Sequence, residues 1–136
     1  MYQQLTIVGH LGQDPEMRYT PSGQAVTNFS VATGRKWTTN DGQAQEETTW
    51  FRVAAWGKLG EVCNEYLAKG RQVMVIGRLT QDKETNGPRV WQASDGSYRA
   101  SFEVTAHEVK FLGSKGDNGS RREPAGEAID DDQIPF

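Results

Sequence analysis

Trp50-Phe51-Arg52-Val53-Ala54-Ala55-Trp56 is the stretch on which the reading of this chain turns. Side chains alternate along an extended strand. Trp50, Arg52, Ala54 and Trp56 therefore share one face, and Phe51, Val53 and Ala55 share the other. The second set suits a core, and the first puts an arginine between two indoles. Residues 49–56 are predicted as a strand. The segment after it, 58–69, is the one convincing helix. Its apolar positions Leu59, Val62, Cys63, Tyr66 and Leu67 fall at helical spacing, and Gly70 follows as terminator.

Upstream, Leu5, Ile7 and Leu11 alternate in a first strand, which bends over residues 12–15. Met17-Arg18-Tyr19 resumes extended structure before a turn at Thr20-Pro21-Ser22-Gly23. Residues 25–33 return as a strand with Phe29 and Val31 toward the core. Residues 38–48 are polar and contain Asn40-Asp41-Gly42, which predicts a mobile loop or long hairpin tip. Downstream, 72–79 is a valine- and isoleucine-rich strand. Residues 80–89 form a second polar stretch, and 90–92 and 98–112 are the last extended segments, turning at Asp95-Gly96. Five or so strands around a single helix suit an all-β class, a five-stranded OB-fold barrel, which is a small Greek-key barrel used for oligonucleotides. Another small α+β barrel fits the same periodicity.

The chain has 136 residues, 35% hydrophobic and 24% charged, which fits one domain and a tail. Its net charge is −3. Residues 1–113 hold twelve cationic and twelve acidic side chains, so the tail carries the whole excess. Local field rather than net charge guides a polyanion, so a neutral domain can still present a basic groove. No run of 18 apolar residues and no secretory leader is present, which predicts a cytoplasmic protein without membrane contact. One cysteine, Cys63, and two histidines, His10 and His107, give no metal-ligand spacing and no intramolecular disulfide. Cys63 reads as a small core residue of the helix. Gly9-His10-Leu11-Gly12 is no phosphate loop, and the acids are scattered without an acid–base pair. Neither a metal, a cofactor nor a catalytic residue is expected.

The tryptophans carry the chemistry. An indole face stacks on any base, and a guanidinium adds charge, so the Trp50–Arg52–Trp56 face makes a sequence-tolerant platform for unpaired bases. Burial of both indoles in a core or subunit interface is the competing reading, since tryptophan is highly buried on average. Trp37 and Trp91 each sit beside a polar loop with cations nearby: Arg35 and Lys36 before Trp37, Arg89 before Trp91. Phosphates need the charge and bases the π face. The competing reading is that each anchors its loop to the body.

Residues 113–128 contain no aromatic or β-branched side chain. Such a segment buries too little apolar surface to offset its ordering entropy, so a disordered linker is expected over 113–129. It leads to Asp130-Asp131-Asp132-Gln133-Ile134-Pro135-Phe136. Phe136 suits an apolar pocket and its α-carboxylate a partner's cation, while Asp130, Asp131 and Asp132 steer association with a basic rim. The competing reading is a frayed, solvated acidic tail. Two other functions compete with nucleic-acid binding: an adaptor using barrel and tail alone, and a nucleic-acid enzyme. The latter lacks ligands and an acid–base pair.

Taken together, these residues resemble the bacterial single-stranded DNA-binding proteins. The resemblance is carried by Val8-Gly9-His10-Leu11-Gly12-Gln13-Asp14-Pro15-Glu16, Arg18-Tyr19 with Pro21-Ser22-Gly23, and Phe29-Ser30-Val31-Ala32-Thr33. It continues through Trp50-Phe51-Arg52-Val53, Gly57-Lys58-Leu59, Glu65-Tyr66-Leu67 with Lys69-Gly70, and Val75-Ile76-Gly77-Arg78-Leu79 to the Asp-rich Ile134-Pro135-Phe136 end. It implies an OB-fold domain over 1–112 that assembles as a homotetramer and binds single-stranded DNA with little sequence preference. Stacking aromatics would be Trp37, Trp50, Trp56 and Trp91. Basic groove residues would be Arg18, Arg52 and Lys58, joined by the Arg35 and Lys36 pair. The 130–136 tip would recruit replication, recombination and repair proteins, and the protein would sit on the nucleoid in the cytoplasm. Departures from the pattern are His10 where asparagine is usual, Trp56 where phenylalanine is common, a longer 80–89 loop, and Gln133 between the acids and Ile134.

Overall fold

The computed structural model describes residues 1–113. The expected linker and tip beyond residue 113 lie outside the described residues. The strands are β1 (Leu5–Leu11), β2 (Glu16–Tyr19), β3 (Ala25–Thr38), β4 (Ala44–Trp56), β5 (Gln72–Leu79), β6 (Val90–Gln92), β7 (Tyr98–Ala100) and β8 (Phe102–Phe111), with helix α1 (Gly57–Tyr66) between β4 and β5. The main sheet runs β1-β5-β8-β4-β3-β2, and an added β1–β3 pairing closes five of these strands into a barrel. Closure is antiparallel except between β4 and β8, which run parallel from Phe51↔Phe102 to Ala54↔Thr105. β2 hangs outside on β3, from Glu16↔Asn28 to Tyr19↔Ala25.

The barrel interior is narrow, and the sequence fills it with branched and small side chains. Val31, Val53, Val73, Val75 and Val104 are fully buried, with Ile7, Leu11, Phe29 and Ala55 around them. Each lies at an alternate position of its strand, which is why the two-residue period was readable. Gly77 sits at a register shift in the β5–β8 ladder, where a side chain would strike the Thr105 carbonyl.

Helix α1 caps one end of the barrel through Cys63 and Leu67, both buried in the core. Gly57 makes the entry possible: its φ of +65° turns the chain sharply out of β4. Gly60 lets the helix lie directly on the barrel, because a side chain there would hit the Ala55 carbonyl. The buried Thr27 hydroxyl donates to the Gly60 carbonyl at 2.6 Å and locks the two together.

Two elements differ from expectation, and an open alternative resolves in a third. The helix ends at Tyr66 rather than Lys69, with Leu67 extended. Tertiary tethers take over there: the Lys69 N–H donates to Asp14 Oδ1 at 2.8 Å. The Gly70 N–H, at a residue with φ +88°, donates to the Leu11 carbonyl at 2.9 Å. The polar 38–48 stretch, expected as a mobile loop or a long hairpin tip, is the hairpin: β3 and β4 continue as a two-stranded arm to a tip at Thr39–Gln43. The segment expected over 98–112 breaks at Ser101, so that β7 pairs with β6 in a separate small hairpin while β8 joins the barrel.

The Thr27–Gly60 bond gives a direct test of how the helix is held. Thr27→Val keeps the shape but removes this buried hydrogen bond, which costs about 0.5–1.5 kcal/mol. Urea unfolding should show a lower midpoint whose shift, multiplied by an unchanged slope, equals that loss. An unchanged midpoint would mean the bond contributes nothing net.

Candidate nucleic-acid interface

Strand β4 divides as its alternation requires. Val53 and Ala55 are buried, while Trp50 and Trp56 are 52% and 42% exposed on the outer side, with Arg52 exposed between them. The reading that buries both indoles in the domain's own core is therefore set aside. The register supplies their neighbours. Trp56 lies opposite Val26, which in turn pairs with Arg18 on β2. Arg52 lies opposite Ser30 on β3 and Glu103 on β8, and Trp50 opposite Ala32. Small residues thus separate the large ones, and the indoles stand clear of each other.

Between these elements lies a cleft of about 390 Å³ lined by Arg18, Asn28, Arg52, Thr80, Arg89 and Glu103, among others. Arg18 and Arg52 were expected from the sequence. Asn28, Thr80 and Glu103 carry no such signal in the sequence, and Arg89 stands out there only as the cation before Trp91. They come from four separate segments, and only barrel closure brings Glu103 next to Arg52.

The two other tryptophans sit on the arms. Trp37 is on β3 opposite Gln45, and Arg35 on the same face opposite Glu47. This face continues the inward side of Phe29 and Val31 past the end of the barrel. Trp37 therefore lies on the opposite side of the arm from Trp50, whereas Lys36, opposite Glu46, shares the Trp50 side. The Arg35 guanidinium lies 4.2 Å from the centroid of Trp37, and its Nε is 3.2 Å from Glu47. The second arm repeats this. Arg89 lies 5.2 Å from the centroid of Trp91 and 3.3 Å from Glu103. Lys58, at the start of α1, is almost free, with Glu61 4.0 Å away.

Among the described residues, no group of three His, Cys, Asp or Glu side chains is placed to hold a metal ion. Burial pushes the Cys63 thiol up to about 11, so it is protonated at neutral pH and a poor nucleophile. No described helix is long and apolar enough to cross a membrane.

A small closed barrel with one capping helix and an outward face of aromatics and arginines defines an OB-fold of the oligonucleotide-binding class. Residues 2–112 match the Single-strand binding protein family, and the chain belongs to it. It is a family of binding proteins, not of enzymes. A single-stranded DNA-binding protein of Neisseria meningitidis serogroup A is 40% identical over 112 residues, covering 82% of this chain and 60% of the relative. Single-stranded DNA-binding protein 1 of Chlorobaculum tepidum is 41% identical over 83% of this chain and 66% of its own length. The protein of Xanthomonas axonopodis pv. citri is 43% identical over 82% of this chain and 58% of its own. The chain thus aligns with about three fifths of the length of these relatives. A solved structure described as a Plasmodium falciparum SSB complex with ssDNA shares the fold. Its TM-score is 0.66 at 24% identity, over 83% of this chain and 96% of that one.

Proposed function

We propose that this protein binds single-stranded DNA with little sequence preference and shields it during replication, recombination and repair. The observation that carries the reading is the outward Trp50–Arg52–Trp56 face beside the arginine-lined cleft. Bases would stack on Trp50 and Trp56 and, on the arms, on Trp37 and Trp91. Phosphates would meet Arg18, Arg52, Lys58 and Lys36, with Arg35 and Arg89 reached by exchange for their glutamates. The names of the bacterial relatives and the described ligand of the Plasmodium neighbour support the same reading. A cytoplasmic place on the nucleoid follows from that activity.

Thymidine oligomers should quench the tryptophan fluorescence, and the affinity should fall with salt at about 0.7 log unit per phosphate engaged per decade. Trp50→Ala should weaken binding by about 1–3 kcal/mol. Full affinity in a folded Trp50→Ala protein removes the stacking assignment, and no gel shift at micromolar protein favours the adaptor reading.

Assembly as a homotetramer is the second part of the proposal. The outer side of β1 and β5 carries Val8, Met74 and Ile76, half-buried with no element over them among the described residues. β1 meets β3 only at His10 and Leu11, so the preceding part of that edge is open. Both features suit pairing with a second copy. Sedimentation should give one species at four times the chain mass of 15.1 kDa. A monomer at micromolar concentration refutes the tetramer.

The third part concerns residues 130–136, joined to the barrel domain of 1–112 by the 113–129 linker. Asp130, Asp131 and Asp132 with Ile134, Pro135 and Phe136 would dock replication, recombination and repair proteins that offer an apolar pocket with a basic rim. Removing Phe136 should leave DNA affinity nearly unchanged and abolish capture of such proteins in a pull-down. Capture that is indifferent to the deletion overturns this part.

A further inference from the structure

Trp50 does not stand free on the barrel. Directly across β3 from it is Ala32, and across β1 from Ala32 is His10. Just past β1 the Gly12 N–H donates to the Ser30 carbonyl at 3.1 Å, which fixes Gly12 against β3. The ground between Trp50 and the end of β1 is thus held by Ala32, Ser30 and Gly12, all small. The far edge of the indole comes to rest on the last of these. A methyl group at Gly12 would lie 2.6 Å from Cζ3 and 2.7 Å from Cη2 of Trp50, closer than real carbons approach. Leaving aside the glycine's chain neighbours, the three atoms nearest that position all belong to this ring. Gly12 is not among the residues with positive φ, so the left-handed region that favours glycine does not explain it. What a side chain at Gly12 would meet first is the indole.

We propose that Gly12 is a positioning residue for base stacking: its missing side chain opens a seat that receives the six-membered ring of Trp50 and holds it toward β1. The inference rests on the reading of Trp50 as a stacking residue. A half-exposed indole that turned freely about χ2 would lose that freedom each time a base bound. A ring held at its tip has already lost it, so more of the stacking free energy appears as affinity. Among the described residues no glycine opens such a seat against Trp37 or Trp91; each has an arginine over its ring instead.

The test is a double-mutant cycle between G12A and W50F, read by thymidine-oligomer binding, thermal unfolding and the indole N–H resonances. The shorter phenyl ring of W50F does not extend to the place of Cζ3 and Cη2. G12A alone should bind about five- to tenfold more weakly, a part of the roughly 5- to 150-fold that a whole base stack is worth. Its melting temperature should stay near that of the parent protein. The resonance that W50F removes should shift in G12A, while those of the other three indoles stay in place. In the W50F background G12A should have no further effect on affinity. If G12A binds normally while W50A binds weakly, the seat is wrong and the stacking reading stands. If W50A binds normally, the stacking reading itself fails. An equal loss of affinity in both backgrounds, or unfolding in both, assigns Gly12 to the barrel and overturns the inference.

Discussion

Val53 and Ala55 pack inside the barrel while Arg52, Ala54 and Trp56 face out from the same seven residues of β4. The alternation of a strand links these two jobs, since a one-residue slip would bury the indoles and expose the valine. Everything at the interface depends on that register. It is held on one side by thirteen continuous pairs with β3, from Val26↔Trp56 to Thr38↔Ala44, and on the other by the parallel pairing with β8. The Gly57 turn and the Thr27–Gly60 bond then fix where the strand stops and the helix begins.

The parts of the fold with one wet and one dry face were legible in the sequence. β1 and the barrel half of β3 show an apolar period of two, β5 shows an unbroken apolar run from Val73 to Ile76, and the helix shows its own period. The arm of β3 and β4 has water on both sides, so its residues carry no apolar alternation, and local pattern leaves a mobile loop and a long hairpin tip both open. The side of the arm on which Trp37 lies follows from counting in twos from Phe29. That count is only possible once the strand is known to continue. The early end of α1 was hidden for a different reason: the tether from Asp14 to the Lys69 N–H links residues 55 apart. The same applies to the cleft. Arg52 and Glu103 are neighbours only through the β4–β8 pairing, and local pattern says nothing about which distant strands close a barrel.

Arg35 and Arg89 occupy the arms in the same way, each over an indole and each beside a glutamate. The magnitudes decide what this can do. An exposed ion pair contributes about 0.2–1 kcal/mol and an exposed cation–π contact about 0.5–1 kcal/mol. These contacts order the side chains without committing them. A phosphate offers the same guanidinium a partner of equal geometry and releases counterions as well. In the proposed binding the glutamates would act as exchangeable occupants of the two arginines and would not permanently neutralise them.

Charge bookkeeping along the chain gives a neutral barrel domain, and geometry shows why that is compatible with a polyanion. Arg18, Arg52 and Arg89 converge on one cleft that holds a single acid, Glu103. Much of the compensating charge lies elsewhere: Asp41 and Asp95 sit at the tips of the two arms, and hydrogen bonds from Thr39 and Ser97 keep both carboxyls below their usual range. At physiological salt the field of an exposed charge fades over about 8 Å. A strand lying along β3 and β4 would meet the local arginines, with acids more than a screening length away contributing little. The net charge of the domain is then no guide to its affinity, which is set by the few cations and rings that the barrel register places on one face.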